Sequence, residues 1–141
     1  MGRYAKACAV ALAGATLAVG MSAAPASAVS YTMDCSTTGA SGAGTINGWA
    51  VGATELGVIL AVHDGSADGH HVRIRLLGKD APGNLITFQW RQNTDGNGTT
   101  KSWTTTASYS AGFRDVAVQV ARFEGDTLLN ACTDWLRGSE A

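Results

Sequence analysis

The run His70 to Trp90, HHVRIRLLGKDAPGNLITFQW, admits few folds. Val72, Ile74 and Leu76 alternate with polar residues in its first half, and Ile86, Phe88 and Trp90 do the same in its second. A period of two belongs to a strand with one buried face, because successive side chains leave a strand on opposite sides. Between the halves, Pro82 fixes φ and Gly83 accepts positive φ, which is turn chemistry. The run is therefore predicted to be a β-hairpin. Burying both apolar rows requires them to face one another, since a slip of one residue turns a whole row outward. That register puts Trp90 inside and gathers His71, Arg73, Arg75, Thr87, Gln89 and Arg91 on the opposite face, which is polar and locally basic.

The two ends of the chain constrain the compartment. Arg3 and Lys6 precede an Ala/Leu/Val/Gly run over 7–23, and Ala26-Ser27-Ala28 is a small-x-small cleavage site. Residues 1–28 read as a secretory signal peptide, and the mature, secreted chain as 29–141. A membrane anchor would need bulkier apolar residues over about 20 positions. Cys8 leaves with the signal, so Cys35 and Cys132 remain. An even pair in an exported chain is most simply one disulfide, and no further ligands at short spacing make the pair a metal site. Cleavage would also remove two of the ten basic residues, leaving eight against eleven acidic ones. That mildly acidic balance argues against nucleic acid as the partner.

The rest of the mature chain reads as further strands. Tyr31-Thr32-Met33 is a short extended piece, and the Ser/Gly/Thr stretch after Cys35 reads as a loop outside the core. Thr45 to Val51 is a short strand broken by Gly48, and Gly57 to His63, GVILAVH, has the compact apolar run of a strand buried on both faces. Lys101 to Tyr109 alternates, Val116 to Phe123 is apolar almost throughout, and Glu124-Gly-Asp-Thr127 is a two-residue hairpin turn leading into Leu128 to Trp135. Residues 137–141 read as a frayed tail. About seven strands, turn signals every 8–12 residues and one bridge predict a small antiparallel β-sandwich, immunoglobulin-like or jelly-roll in connectivity, as a single all-β domain. A small closed barrel is the alternative.

Candidate sites are few. The basic face of His71, Arg73, Arg75, Gln89 and Arg91 offers guanidinium forks for carboxylate, sulfate or phosphate, so an anionic extracellular polymer or protein surface is the expected partner. The plain alternative is a solvated face whose arginines cover Ala117 and Ala121. His63, Asp64, Asp68 and His70 would cluster at one edge if their two strands paired directly, a donor set that suits zinc. Asn93-Thr-Asp95-Gly-Asn97-Gly98 mimics half a calcium loop, although Thr104 stands where its bidentate glutamate belongs. Among the four tryptophans, Trp90 and Trp103 are in phase with buried rows, which leaves Trp49 and Trp135 as candidate sugar platforms. No Gly-x-Ser-x-Gly, His-Glu-x-x-His or activated cysteine is present, and no cofactor is implied.

The Ala-rich signal, the segment DGSADGHHVRIRL, the NTDGNG loop and the ending ARFEGDTLLNACTDW resemble those of a group of short actinobacterial exported proteins. The resemblance covers most of the mature chain. It implies export and a β-fold, and it carries over no site residues. The expected function is a non-catalytic extracellular binding domain with a basic sheet face. The alternative is a secreted metal-binding protein or enzyme centred on His63 and His70.

Overall fold

The structure is a computed structural model and describes residues 29–140; the expected signal peptide, 1–28, lies outside them. Its strands form two antiparallel sheets around one apolar core. The first sheet runs in the order β1 (Ser30–Thr37), β2 (Ala40–Asn47), β3 (Glu55–Asp64) and β7 (Thr100–Ser108). In the second, β4 (His71–Lys79) pairs on one side with both β5 (Leu85–Thr87) and β6 (Arg91–Asn93). On its other side β4 pairs with β8 (Asp115–Glu124), which pairs with β9 (Thr127–Leu136). The chain crosses between sheets after β3 and again after β7. It also returns to the first sheet after β6, and because β3 pairs with β7 and β4 with β8, the three crossings form the Greek-key arrangement of an immunoglobulin-like sandwich, with one strand added at its start.

Alternation explains the core. Leu56, Val58, Leu60 and Val62 of β3 face Val72, Ile74 and Leu76 of β4 across the sandwich, all buried. Strand β8 is central in its sheet, and it buries Val116, Val118 and Val120 on one side and Ala117 and Ala121 on the other. The apolar run of β3 is instead buried on one face only: Ile59 is 39% exposed on the outside. Continuous hydrophobicity there reflects apolar residues placed on a surface.

The Ser/Gly/Thr stretch expected as a loop is the tip and return of a hairpin, with Cys35 paired to Gly42 and Thr37 to Ala40. Its small residues have a packing reason. A Cβ on Gly42 would lie 2.7 Å from the Ala61 carbonyl oxygen and 2.8 Å from Val120 Cγ2, so only glycine lets β2 approach β8 this closely. Next to it, Cys35 on β1 and Cys132 on β9 form the expected disulfide, joining residues 97 apart with a Cα separation of 5.9 Å. The bridge ties an edge of one sheet to an edge of the other. Asp34 N–H donates to Asp134 Oδ2 (3.1 Å) and Asn130 Nδ2 donates to the Thr38 carbonyl (3.2 Å) on the same flank.

Two turns form as expected. Gly83 N–H donates to the Asp80 carbonyl, and Gly125, at φ 55°, turns β8 into β9 with Glu124 opposite Thr127. Asp80 organises the first of these turns. Its carboxylate accepts from Asn84 Nδ2 and from the backbone of Asn84 and Gly83, which together hold its pKa below the usual carboxylate value despite burial. The end expected to fray makes a 3-10 turn, Gly138–Glu140, and Gly138 N–H donates to Asp115 Oδ1.

The central hairpin departs from the expected register. Leu77 pairs with Thr87, but Ile74 pairs with Arg91. Between these pairs β4 advances three residues and its partner four. The extra residue is a bulge-like break over Phe88-Gln89-Trp90, and such an insertion reverses the facing of everything beyond it. Trp90 consequently lies on the outer face, while Arg91 and Asn93 take the core-facing side opposite Ile74 and Val72.

Candidate functional site

The outer face of the second sheet is a layer of cations lying on aromatic rings. Along β4 the outward side chains include His71, Arg73, Arg75 and Lys79, because Val72, Ile74 and Leu76 take the inward phase. Strand β8 supplies Phe123, the break after β5 supplies Trp90, and β9 supplies Trp135. Arg73 Cζ lies 4.1 Å from the centre of the Phe123 ring, Arg75 Cζ 4.2 Å from that of Trp90, and Lys79 Nζ 4.6 Å from that of Trp135. Trp90 meets Phe123 edge-on at 5.3 Å, and His71 stacks on Phe123 at 6.0 Å. Phe123 is only 4% exposed beneath this cover. Arg73 and Arg75 pair with Ala121 and Gln119, and Ala117 and Ala121 are wholly buried, as the covering role of the arginines requires.

The cations differ in how far they are already satisfied. Arg73 donates to His71 Nε2 (2.9 Å), to the Gly125 carbonyl (2.9 Å) and to Asp126 Oδ1 (3.0 Å). Accepting that bond requires an unprotonated Nε2, and both burial and the neighbouring Arg73 charge lower the His71 pKa. Arg75 donates through Nε to Gln119 Oε1 at 2.7 Å and forms no ion pair among the described residues. Desolvation on Trp90 lowers its pKa from the usual arginine value without bringing it near neutrality. A charged guanidinium held over an indole, with both Nη groups without a partner among the described residues, is available to an oxyanion.

Gln89 and Arg91, expected on this same face, are elsewhere. Both line a cleft of about 200 Å³ at the flank where β7 and the β5–β6 edge leave the two sheets apart. Val58, Leu60, Leu76, Phe88 and Ala107 form its apolar floor, and Thr105 and Thr106 share its wall. The five residues grouped on the sequence are thus split by the sheet itself.

The four candidate metal ligands are not brought together. Strands β3 and β4 lie in different sheets rather than pairing directly, and among the described residues no group of three or more His, Cys, Asp or Glu side chains is placed to share an ion. His63 is on the outer face of the first sheet, with Nδ1 2.9 Å from Thr100 Oγ1. Asp64 is buried and accepts from Ser66 N–H. Asp68 accepts from the His70 N–H and from Arg122 Nη1 (2.6 Å); the backbone bond, ahead of the arginine, brings its pKa below the usual value. His70 Nδ1 pairs with Glu124. Asp68 and His70 therefore fasten the β3–β4 crossing onto the end of β8.

The calcium-like loop is likewise occupied by its own bonds. Asn93 is fully buried; it donates to the Thr99 carbonyl and accepts from Asp95 N–H, while Asp95 pairs with Lys101 at 3.3 Å. Among the tryptophans, Trp49 is 6% exposed and belongs to the core, whereas Trp90 and Trp135 carry the cations outside. The roles of Trp49 and Trp90 are the reverse of those expected. An odd-length break at 88–90 has no signature in alternation, so the Arg75–Trp90 stack was not visible there. Along β8 Gln119 marks the outer phase, to which Phe123 also belongs, so the sequence carried a weak signal for its outward placement.

Among the described residues no helix is long and apolar enough to cross a membrane. Comparison with protein-family models gives no match, and comparison with curated proteins gives none either, so the geometry alone carries the functional reading.

Proposed function

We propose that this chain is a secreted, non-catalytic binding module whose outer second sheet takes a linear anionic polymer lying along β4. The observation that carries the reading is Arg75: it is stacked on Trp90, fixed by Gln119 and without a carboxylate partner among the described residues. Arg73 and Lys79 stand on the same face, so three ring-backed cations line one strand over about 20 Å at the usual strand rise. Rings beneath the cations hold the side chains in place before binding, which lowers the entropy lost when an oxyanion arrives. Export is supported by the leader-like start of the sequence and by a bridge suited to an oxidising compartment.

The experiment is retention on an immobilised sulfated polysaccharide at low and high salt. The wild type is retained at low salt and released as salt rises, because screening weakens contacts between exposed charges. Arg75→Gln/Lys79→Gln elutes early, whereas Arg137→Gln, which removes an exposed charge on the C-terminal turn, elutes with the wild type. Equal losses in the two variants would reduce the effect to net charge and defeat the reading.

A further inference from the structure

We propose that the cleft on the open flank is a second binding site, specific for a small monocarboxylic acid with an apolar body. Three observations carry it. The floor is apolar and formed by both sheets, with Val58 and Leu60 from β3, Leu76 from β4 and Phe88 beside them. Its size is about 200 Å³, below the range of drug-sized pockets but above the roughly 150 Å³ apolar cavity that suffices for benzene. It therefore takes one ring, or a short alkyl chain, and little more.

The third observation supplies the charge. Arg91 pairs with Ile74, so its side chain leaves the sheet on the cleft side, and it lines the cleft together with Gln89. Arg91 has no carboxylate partner among the described residues, whereas Arg73, Arg114 and Arg122 each have one. A guanidinium at the wall of an apolar cleft favours a ligand with a carboxylate at one end and hydrocarbon at the other. The hydrocarbon buries against Leu76 and Phe88, and the carboxylate accepts from Arg91. This site does not rest on polymer binding: Arg91 and Arg75 lie on opposite sides of the same sheet, so either site can fail without the other.

The test is calorimetric titration of the full mature chain with three probes of equal shape: phenylacetate, 2-phenylethanol and phenethylammonium. Phenylacetate binds most tightly, about tenfold better than the alcohol, as one charge-assisted hydrogen bond provides, and the cation binds worst. In Arg91→Gln that preference disappears while the alcohol keeps its affinity. Thr105→Phe, which fills the cleft from its wall, abolishes binding of both acid and alcohol. Amide shifts on adding phenylacetate to the wild type centre on Phe88 and Ala107, a readout that needs no variant. Three equal affinities in the wild type, no saturable binding of phenylacetate, or a preference that survives Arg91→Gln would each overturn the proposal.

Discussion

The two flanks of this sandwich are built on opposite principles. On one, β1 and β9 approach across the gap between sheets and are joined by Cys35–Cys132, by Asp34 to Asp134 and by Asn130 to Thr38. Small residues make that closeness feasible, Gly42 above all. On the other flank, β6 is tied to the start of β7 by Asn93 to the Thr99 carbonyl and by Asp95 to Lys101, without a covalent bridge among the described residues. Beyond these contacts the core is reached through a cleft walled by Thr105, Thr106, Gln89 and Arg91. The open flank retains apolar surface and, among the described residues, a cation with no carboxylate partner. The two flanks of one core thus differ in covalent closure and in exposed apolar surface.

The largest test of the contrast is removal of the bridge. Cys35→Ala/Cys132→Ala frees a loop of 97 residues and is expected to cost about 4–5 kcal/mol in the chain-entropy account, read by urea unfolding. A loss below about 1 kcal/mol would show that the closed flank holds without sulfur. Gly42→Val comes next. Its Cβ meets backbone and Val120 at contact distances no real pair adopts, and destabilisation of about 3 kcal/mol is expected, with the disulfide still formed by mass.

Asn93→Ala probes the open flank. It leaves the Asp95 N–H and the Thr99 carbonyl without their partner and is expected to cost about 2 kcal/mol in thermal unfolding. An equal or larger loss than that of Gly42→Val would erase the difference between flanks.

The smallest effect is a pH dependence on the outer face of the second sheet. Burial, then Arg73, lowers the His71 pKa below 6.5, so the unfolded chain binds this proton more readily than the folded one. The stability His71 contributes is complete above about pH 6.5 and is lost as pH falls through the lower folded value. Melting temperatures followed from pH 7.5 to pH 5 should decline, and His71→Gln should flatten the part of that decline due to this residue. A His71 ring resonance titrating above 6.5 contradicts the Arg73 Nε to His71 Nε2 bond.

Much of the architecture follows from local patterns. Alternation located β4 and β7, the Gly125-Asp126 turn located β9, both that turn and Pro82-Gly83 formed where their φ demands placed them, and two distant cysteines found each other. Errors arose where composition and environment part company. The Ser/Gly/Thr stretch resembles a loop because strands seldom tolerate glycine, yet here sheet-to-sheet proximity demands it. The cluster of His63, Asp64, Asp68 and His70 dissolved because adjacency in sequence became a crossing between sheets.

What the amino-acid order determined alone is the all-β class, the inward phase of β4, the two tight turns and the covalent link, since each depends on periodicity, turn stereochemistry or residue identity within a short window. What only the tertiary structure decided is which side of a sheet each late residue of the central hairpin occupies. One extra residue between Thr87 and Arg91 sends Trp90 outward under Arg75 and Arg91 inward to the cleft. That insertion is stabilised by partners far along the chain, Phe123 for the tryptophan and the floor from β3 for the cleft, and no local pattern encodes contacts at such a distance.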